Sequence, residues 1–102
     1  MDRLSYLHYR SPGALRCGEV HPEHFRLLIS LSGIQSSRVI MALESYLVHG
    51  SSRKVACEKH NLSASYMSVS LGKLQALSRT LADVAVWYSL SVRPLPGEGR
   101  AD

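Results

Sequence analysis

The chain has 102 residues, 45% of them hydrophobic and 20% charged, with a formal net charge of +4 and a pI of about 9.4. That length holds one hydrophobic core and not two. The composition is that of an ordinary globular domain, and no apolar run approaches the roughly 18 residues of a membrane span. The basic balance favours an acidic partner, either nucleic acid or an anionic membrane surface.

Residues 1–20 contain Ser11-Pro12-Gly13 and no sustained periodicity, which reads as an irregular arm. Its opening, MDRLSYLHYRSPG, lacks the continuous apolar core of a secretory signal, so a cytoplasmic chain is expected. Arg3, Arg10 and Arg16 stand against Asp2 and Glu19. Such an arm either reaches along DNA, as homeodomain arms do, or is a floppy terminus with no role.

A helical domain is expected over residues 21–90. His21-Pro22-Glu23 is a helix start, because proline at the first helical position lacks an N–H that would have no partner there. Phe25, Leu28 and Ile29 give that helix a narrow apolar face, and Gly33 ends it. A second helix opens at Ser36 or Ser37 and turns Ile40, Leu43 and Leu47 inward, flanked by Val39 and Tyr46. Gly50 closes it.

Residues 52–78 read as a helix-turn-helix. Ser51 or Ser52 caps a short helix beginning at Arg53, and that helix ends near His60 because Asn61 tolerates the left-handed conformation. Leu62 plugs the corner, with Ala56, Cys57 and His60 also turned inward. Ser63 caps the next helix, whose Met67, Leu71 and Leu74 at i, i+4 and i+7 form a buried stripe. Its other face carries Ser65, Tyr66, Ser68, Val69 and Lys73, short and nearly free of acid. Between Ser51 and Arg79 five bases (Arg53, Lys54, Lys59, Lys73, Arg79) face one acid, Glu58, a net +4 equal to that of the whole chain. Phosphate contacts supply most non-specific affinity for DNA, so this is the charge such a motif needs. The competing explanation is a solvated basic face on a bundle corner.

The pattern continues as Leu77, Leu81, Val84, Ala85, Trp87 and Tyr88. Gly72 within it permits either a close backbone approach or a bend, and costs about 1 kcal/mol relative to alanine. Aromatic side chains beside leucines suit a subunit interface, and equally suit a helix that folds back on its own core. Residues 91–102, SVRPLPGEGRAD, read as a disordered tail.

No glycine-rich phosphate loop or GxSxG elbow is present, and nothing supplies Cys57 with a base and an oxyanion hole. No enzyme is expected, no cofactor, no small-molecule substrate. Cys57 with His60, and His21 with His24, repeat an i, i+3 spacing that suits a zinc ligand pair; histidines on small helices are more often caps or core edges, so no metal is expected. Two isolated thiols, Cys17 and Cys57, read as reduced.

The run HFRLLISLSGIQSSRVIMALESYLVHGSSRKVACEKHNLSASYMSVSLGKLQAL, His24 to Leu77, resembles the PapB-type regulators of adhesin and fimbrial operons in enteric bacteria. SSRVIMALESYLVHG, SRKVACEKH and SLGKL carry the match, and the leading YLHYRSPGALRCGEV is most similar to members that control afimbrial and Dr-type adhesin operons. The resemblance implies a cytoplasmic, all-helical transcription factor of AT-rich DNA that occupies repeated short sites cooperatively and takes part in phase-variable adhesin expression. It also implies that Arg53 and Cys57 take part in DNA binding. An inward Cys57 meets that implication if it lies at the rim of the core, with the first helix of the motif facing the duplex, as a minor-groove mode would have it.

The expectation is therefore an all-α domain of four to five helices that binds double-stranded DNA as a homo-oligomer, without membrane association. Arg53, Lys54 and Lys73 contact phosphate or enter a groove, Ser63 and Ser65 donate from the helix start, Tyr66 packs on sugar or a base edge, and Cys57 and Ser68 complete the surface. Leu77, Leu81, Val84, Trp87 and Tyr88 form the subunit contact. The alternative is a helical protein–protein adaptor whose basic face takes an acidic partner. Major- and minor-groove docking both stay open.

Overall fold

The structure, a computed structural model, describes residues 12–92, with side chains described through Ser89. The basic residues Arg3 and Arg10 and most of the expected C-terminal tail lie outside that range. Among the described residues there are four helices and no strand: α1 (Pro22–Ser32), α2 (Ser37–Leu47), α3 (Arg53–Lys59) and α4 (Ala64–Val92). No described helix is long and apolar enough to cross a membrane.

The boundaries follow from capping chemistry. His21 accepts the Glu23 amide on Nδ1 at 3.1 Å ahead of Pro22, and Gly33 leaves α1 through the left-handed region at φ 79°. The Ser36 hydroxyl accepts from the Val39 amide at 3.4 Å to start α2. That helix stops at Leu47, earlier than the glycine at 50 suggests. The Val48 and His49 amides both return to the Glu44 carbonyl, the Ser51 amide reaches Ser45, and Gly50 serves this turn at φ 81°. Ser52 caps α3 through the Val55 amide at 3.1 Å.

The core is where the helices meet. Leu28, Val39, Leu43, Leu47, Met67 and Leu74 are fully buried, and each such side chain is worth about 1.5–3 kcal/mol of transfer free energy. On α2 Leu43 and Leu47 are fully buried as expected, but the flanking Val39 takes the innermost place expected of Ile40, which is only partly buried. No neighbouring backbone comes close to Gly72. A Cβ there would meet nothing within 4 Å, and α4 runs on as one 29-residue helix.

The described residues before α1, from residue 12 onward, form no helix, yet they are not floppy. Leu15 and Val20 are buried in the core. The side-chain amide of Gln75 on α4 brackets Leu15, accepting its N–H at 3.1 Å and donating to its carbonyl at 2.8 Å. The Gly18 and Val20 amides donate to the carbonyls of Tyr46 and Leu47, which satisfies groups that the end of α2 would leave without partners. Two isolated apolar residues in a loop are enough to dock it when its backbone polar groups also find partners.

Candidate nucleic-acid interface

Helices α3 and α4 are joined by a four-residue corner, His60 to Ser63, in which each residue has a separate task. Asn61 takes φ 54°, a conformation that its short polar side chain tolerates better than most. The Leu62 amide closes onto the Cys57 carbonyl at 2.8 Å while its side chain enters the core. The Ser63 hydroxyl accepts the Tyr66 amide at 3.1 Å and starts α4. Nε2 of His60 lies 3.1 Å from the hydroxyl of Ser45, a buried serine on α2, so the corner is also tied to the helix beneath it.

With Met67, Leu71 and Leu74 facing in, the outer surface of α4 presents Ser65, Tyr66, Ser68, Val69 and Lys73, all exposed. A helical residue turns by about 100° from the last, so Ser68 falls near one edge of this surface and Tyr66 and Lys73 near the other, with Ser65 and Val69 between them. No acid occurs on α4 before Asp83. At the Ser68 edge stands α3, whose Arg53 guanidinium donates to the Ser68 hydroxyl. Two residues singled out separately from sequence are thus in contact, and the arginine is held against the helix that it flanks.

Cys57 is 9% exposed and lines a groove with Arg53, Lys54, Glu58, Ala64 and Met67, where α3 meets the start of α4. It sits at the rim of the core, beside the exposed bases, with its thiol 4.0 Å from the Ser63 carbonyl. Cys17, the other thiol, is exposed, and both cysteines are free. Among the described residues no three His, Cys, Asp or Glu side chains gather closely enough to hold a metal ion.

The residues assigned to a subunit contact divide. Leu77 and Leu81 pack partly buried against the core. Val84, Trp87 and Tyr88 are 37%, 70% and 66% exposed, and Val86 beside them is 57% exposed.

On the other side of the α4 surface lies the α1–α2 corner. Arg38 donates from Nη1 to the Asn61 carbonyl at 3.5 Å and so reaches the corner between α3 and α4. Gln35 and Ser36 share a concavity with Tyr66, Val69 and Lys73. The available signal was the lone base in SSRVIM, which periodicity places on an exposed face without saying which neighbour it meets.

Residues 2–88 match the family described as PapB, adhesin biosynthesis transcription regulatory protein. The major pilus subunit operon regulatory protein PapB of Escherichia coli is 44% identical over 72 residues, covering 71% of this chain and 69% of that protein. The AFA-III adhesin operon regulatory protein of E. coli is 37% identical over 87 residues, 85% of this chain and 86% of the relative. The crystal structure of E. coli FocB superposes with a TM-score of 0.71 at 42% identity, covering 83% of this chain and 93% of FocB.

Proposed function

We propose that this chain, which belongs to the PapB family of adhesin biosynthesis transcription regulatory proteins, binds double-stranded DNA through α3, the corner and the first half of α4, and represents a helix-turn-helix regulator of an adhesin operon. Its sites are AT-rich and repeated, and an oligomer fills them cooperatively in the cytoplasm. The observation that carries the reading is the outer face of α4: exposed, mostly polar apart from Val69, free of acid as far as Asp83, and flanked by bases. A surface set against phosphates must be of that kind, since each neutralised phosphate releases counterions.

The same face explains a weak base readout. Ser65, Tyr66, Ser68, Val69 and Lys73 include no Asn, Gln or Arg to pair bidentately with a base edge. Selectivity then comes from groove shape, A·T content and repetition of sites, with subunits coupled through the exposed apolar end of α4. Arg53 contacts phosphate from its station on Ser68, with Lys54 beside it and Lys73 across the helix. Cys57 packs at the rim of the α3 groove, close enough to the backbone of the duplex for its substitution to disturb docking.

The test compares binding to an AT-rich duplex with several short repeats, a single-repeat duplex and a GC-rich duplex of equal length, across a salt series. Steep cooperative binding to the repeated AT-rich duplex alone is expected. Equal affinity for all three would remove the sequence preference, and a flat dependence on salt would turn the reading toward a protein adaptor with an acidic partner. In Arg53→Ala the log–log salt slope should flatten by about 0.9, which at 0.1 M salt corresponds to roughly eightfold weaker binding to specific and random DNA alike.

A further inference from the structure

The α4 face has two long edges, and the bases singled out from sequence account fully for only one of them. Arg53 and Lys54 stand on the α3 side. On the opposite side Lys73 shares a concavity with Gln35, Ser36 and Tyr66, and a second concavity joins Ser37 and Arg38 of α2 to Asn61, Ser63 and Tyr66. No Asp or Glu lines either of these depressions. Arg38 reaches across the second one to the Asn61 carbonyl at 3.5 Å, which brings its guanidinium up to the corner where the α4 face begins.

A helix laid into a groove of duplex DNA runs between two sugar–phosphate backbones, so both of its flanks face negative charge. One basic flank would leave the second strand opposite neutral protein. The arrangement of Arg38 and Lys73 against Arg53 and Lys54 removes that asymmetry. Resting on the proposed DNA-binding function, we infer that Arg38 contacts DNA directly, and that the α1–α2 corner forms a second wall of the interface. Arg53 holds phosphates of one strand while Arg38, with Lys73, holds those of the other. The interface is therefore wider than α3 and α4 alone, and its second wall comes from a helix outside the helix-turn-helix.

The experiment is a salt titration of DNA binding for the full chain and for Arg38→Ala, Arg38→Lys and Arg53→Ala, with thermal unfolding of each. In Arg38→Ala the slope should fall by about 0.9 and affinity at 0.1 M salt should drop roughly eightfold, with the melting temperature unchanged. Arg38→Lys keeps the charge and should recover most of that loss. An unchanged slope in Arg38→Ala alongside a reduced one in Arg53→Ala would overturn the second wall and leave the DNA-binding reading standing. Equal losses in Arg38→Ala and Arg38→Lys with a lowered melting temperature would also overturn it, by showing that Arg38 only braces the Asn61 corner. No salt-dependent binding by the unaltered chain would sink the inference and the reading beneath it together.

Discussion

The two halves of α4 are built on opposite principles. From Ala64 to Leu81 the helix is divided lengthwise: Met67, Leu71 and Leu74 are buried on one side, while Ser65, Ser68, Val69 and Lys73 are exposed on the other. From Asp83 to Ser89 every residue is exposed, and four of these are large and apolar: Val84, Val86, Trp87 and Tyr88. The first half owes its position to the rest of the chain and turns a polar face to solvent. The second half keeps the helical backbone but exposes a run of large apolar side chains, where the first half exposes only Tyr66 and Val69 among its large hydrophobic residues. One continuous helix thus combines a face fixed by the core with an exposed apolar end.

That contrast can be broken most forcefully from the buried side. Leu74 is fully buried at the junction of α4 with the core, so Leu74→Ala should lower unfolding stability by about 2–5 kcal/mol through lost transfer free energy and a residual cavity. Denaturant unfolding measures it directly. A loss below about 1 kcal/mol would mean that the core collapses readily around the site, and that the first half of α4 is held less firmly than its burial implies.

A smaller effect is expected at the corner. His60→Ala would leave the hydroxyl of the buried Ser45 without its partner at Nε2, at a cost of about 1–3 kcal/mol. Ser45→Ala in the same background removes the stranded hydroxyl and should recover part of the loss, and a double-mutant cycle reads the coupling. Zero coupling would show that the corner is carried by Leu62 and the Ser63 cap alone. For that cap, Ser63→Ala should cost about 0.5–2 kcal/mol by leaving the Tyr66 amide without its acceptor.

The same division governs what could be read from sequence. Helix ends were legible because caps act within three or four residues: Pro22, Gly33, Ser52, Asn61 and Ser63 do in the structure what their chemistry suggests. The corner and the buried stripe of α4 were legible for the same local reason. Three features were not. The docking of Leu15 and Val20 rests on bonds to Gln75, Tyr46 and Leu47, and neither residue has a periodic neighbour to betray its burial. The reach of Arg38 to Asn61 spans 23 positions and depends on how α2 crosses the corner. The fate of α4 beyond Leu81 was undecided because an apolar stripe reports only that something should cover it; which residues do so depends on where the rest of the fold ends.

The mildest substitution sharpens the comparison furthest. Tyr88 is 66% exposed, so Tyr88→Ala should change unfolding stability by no more than about 0.5 kcal/mol when measured on dilute protein. Leu74→Ala and Tyr88→Ala, on one helix, would then differ severalfold in their effect on the fold. Their effects on assembly should run the other way. If the end of α4 is the surface through which copies of this chain associate, Tyr88→Ala weakens self-association in sedimentation and reduces cooperativity on repeated DNA, while affinity for a single site stays as it was. A stability loss above about 1 kcal/mol in dilute protein would place Tyr88 against its own chain, and the apolar end of α4 would become a continuation of the core.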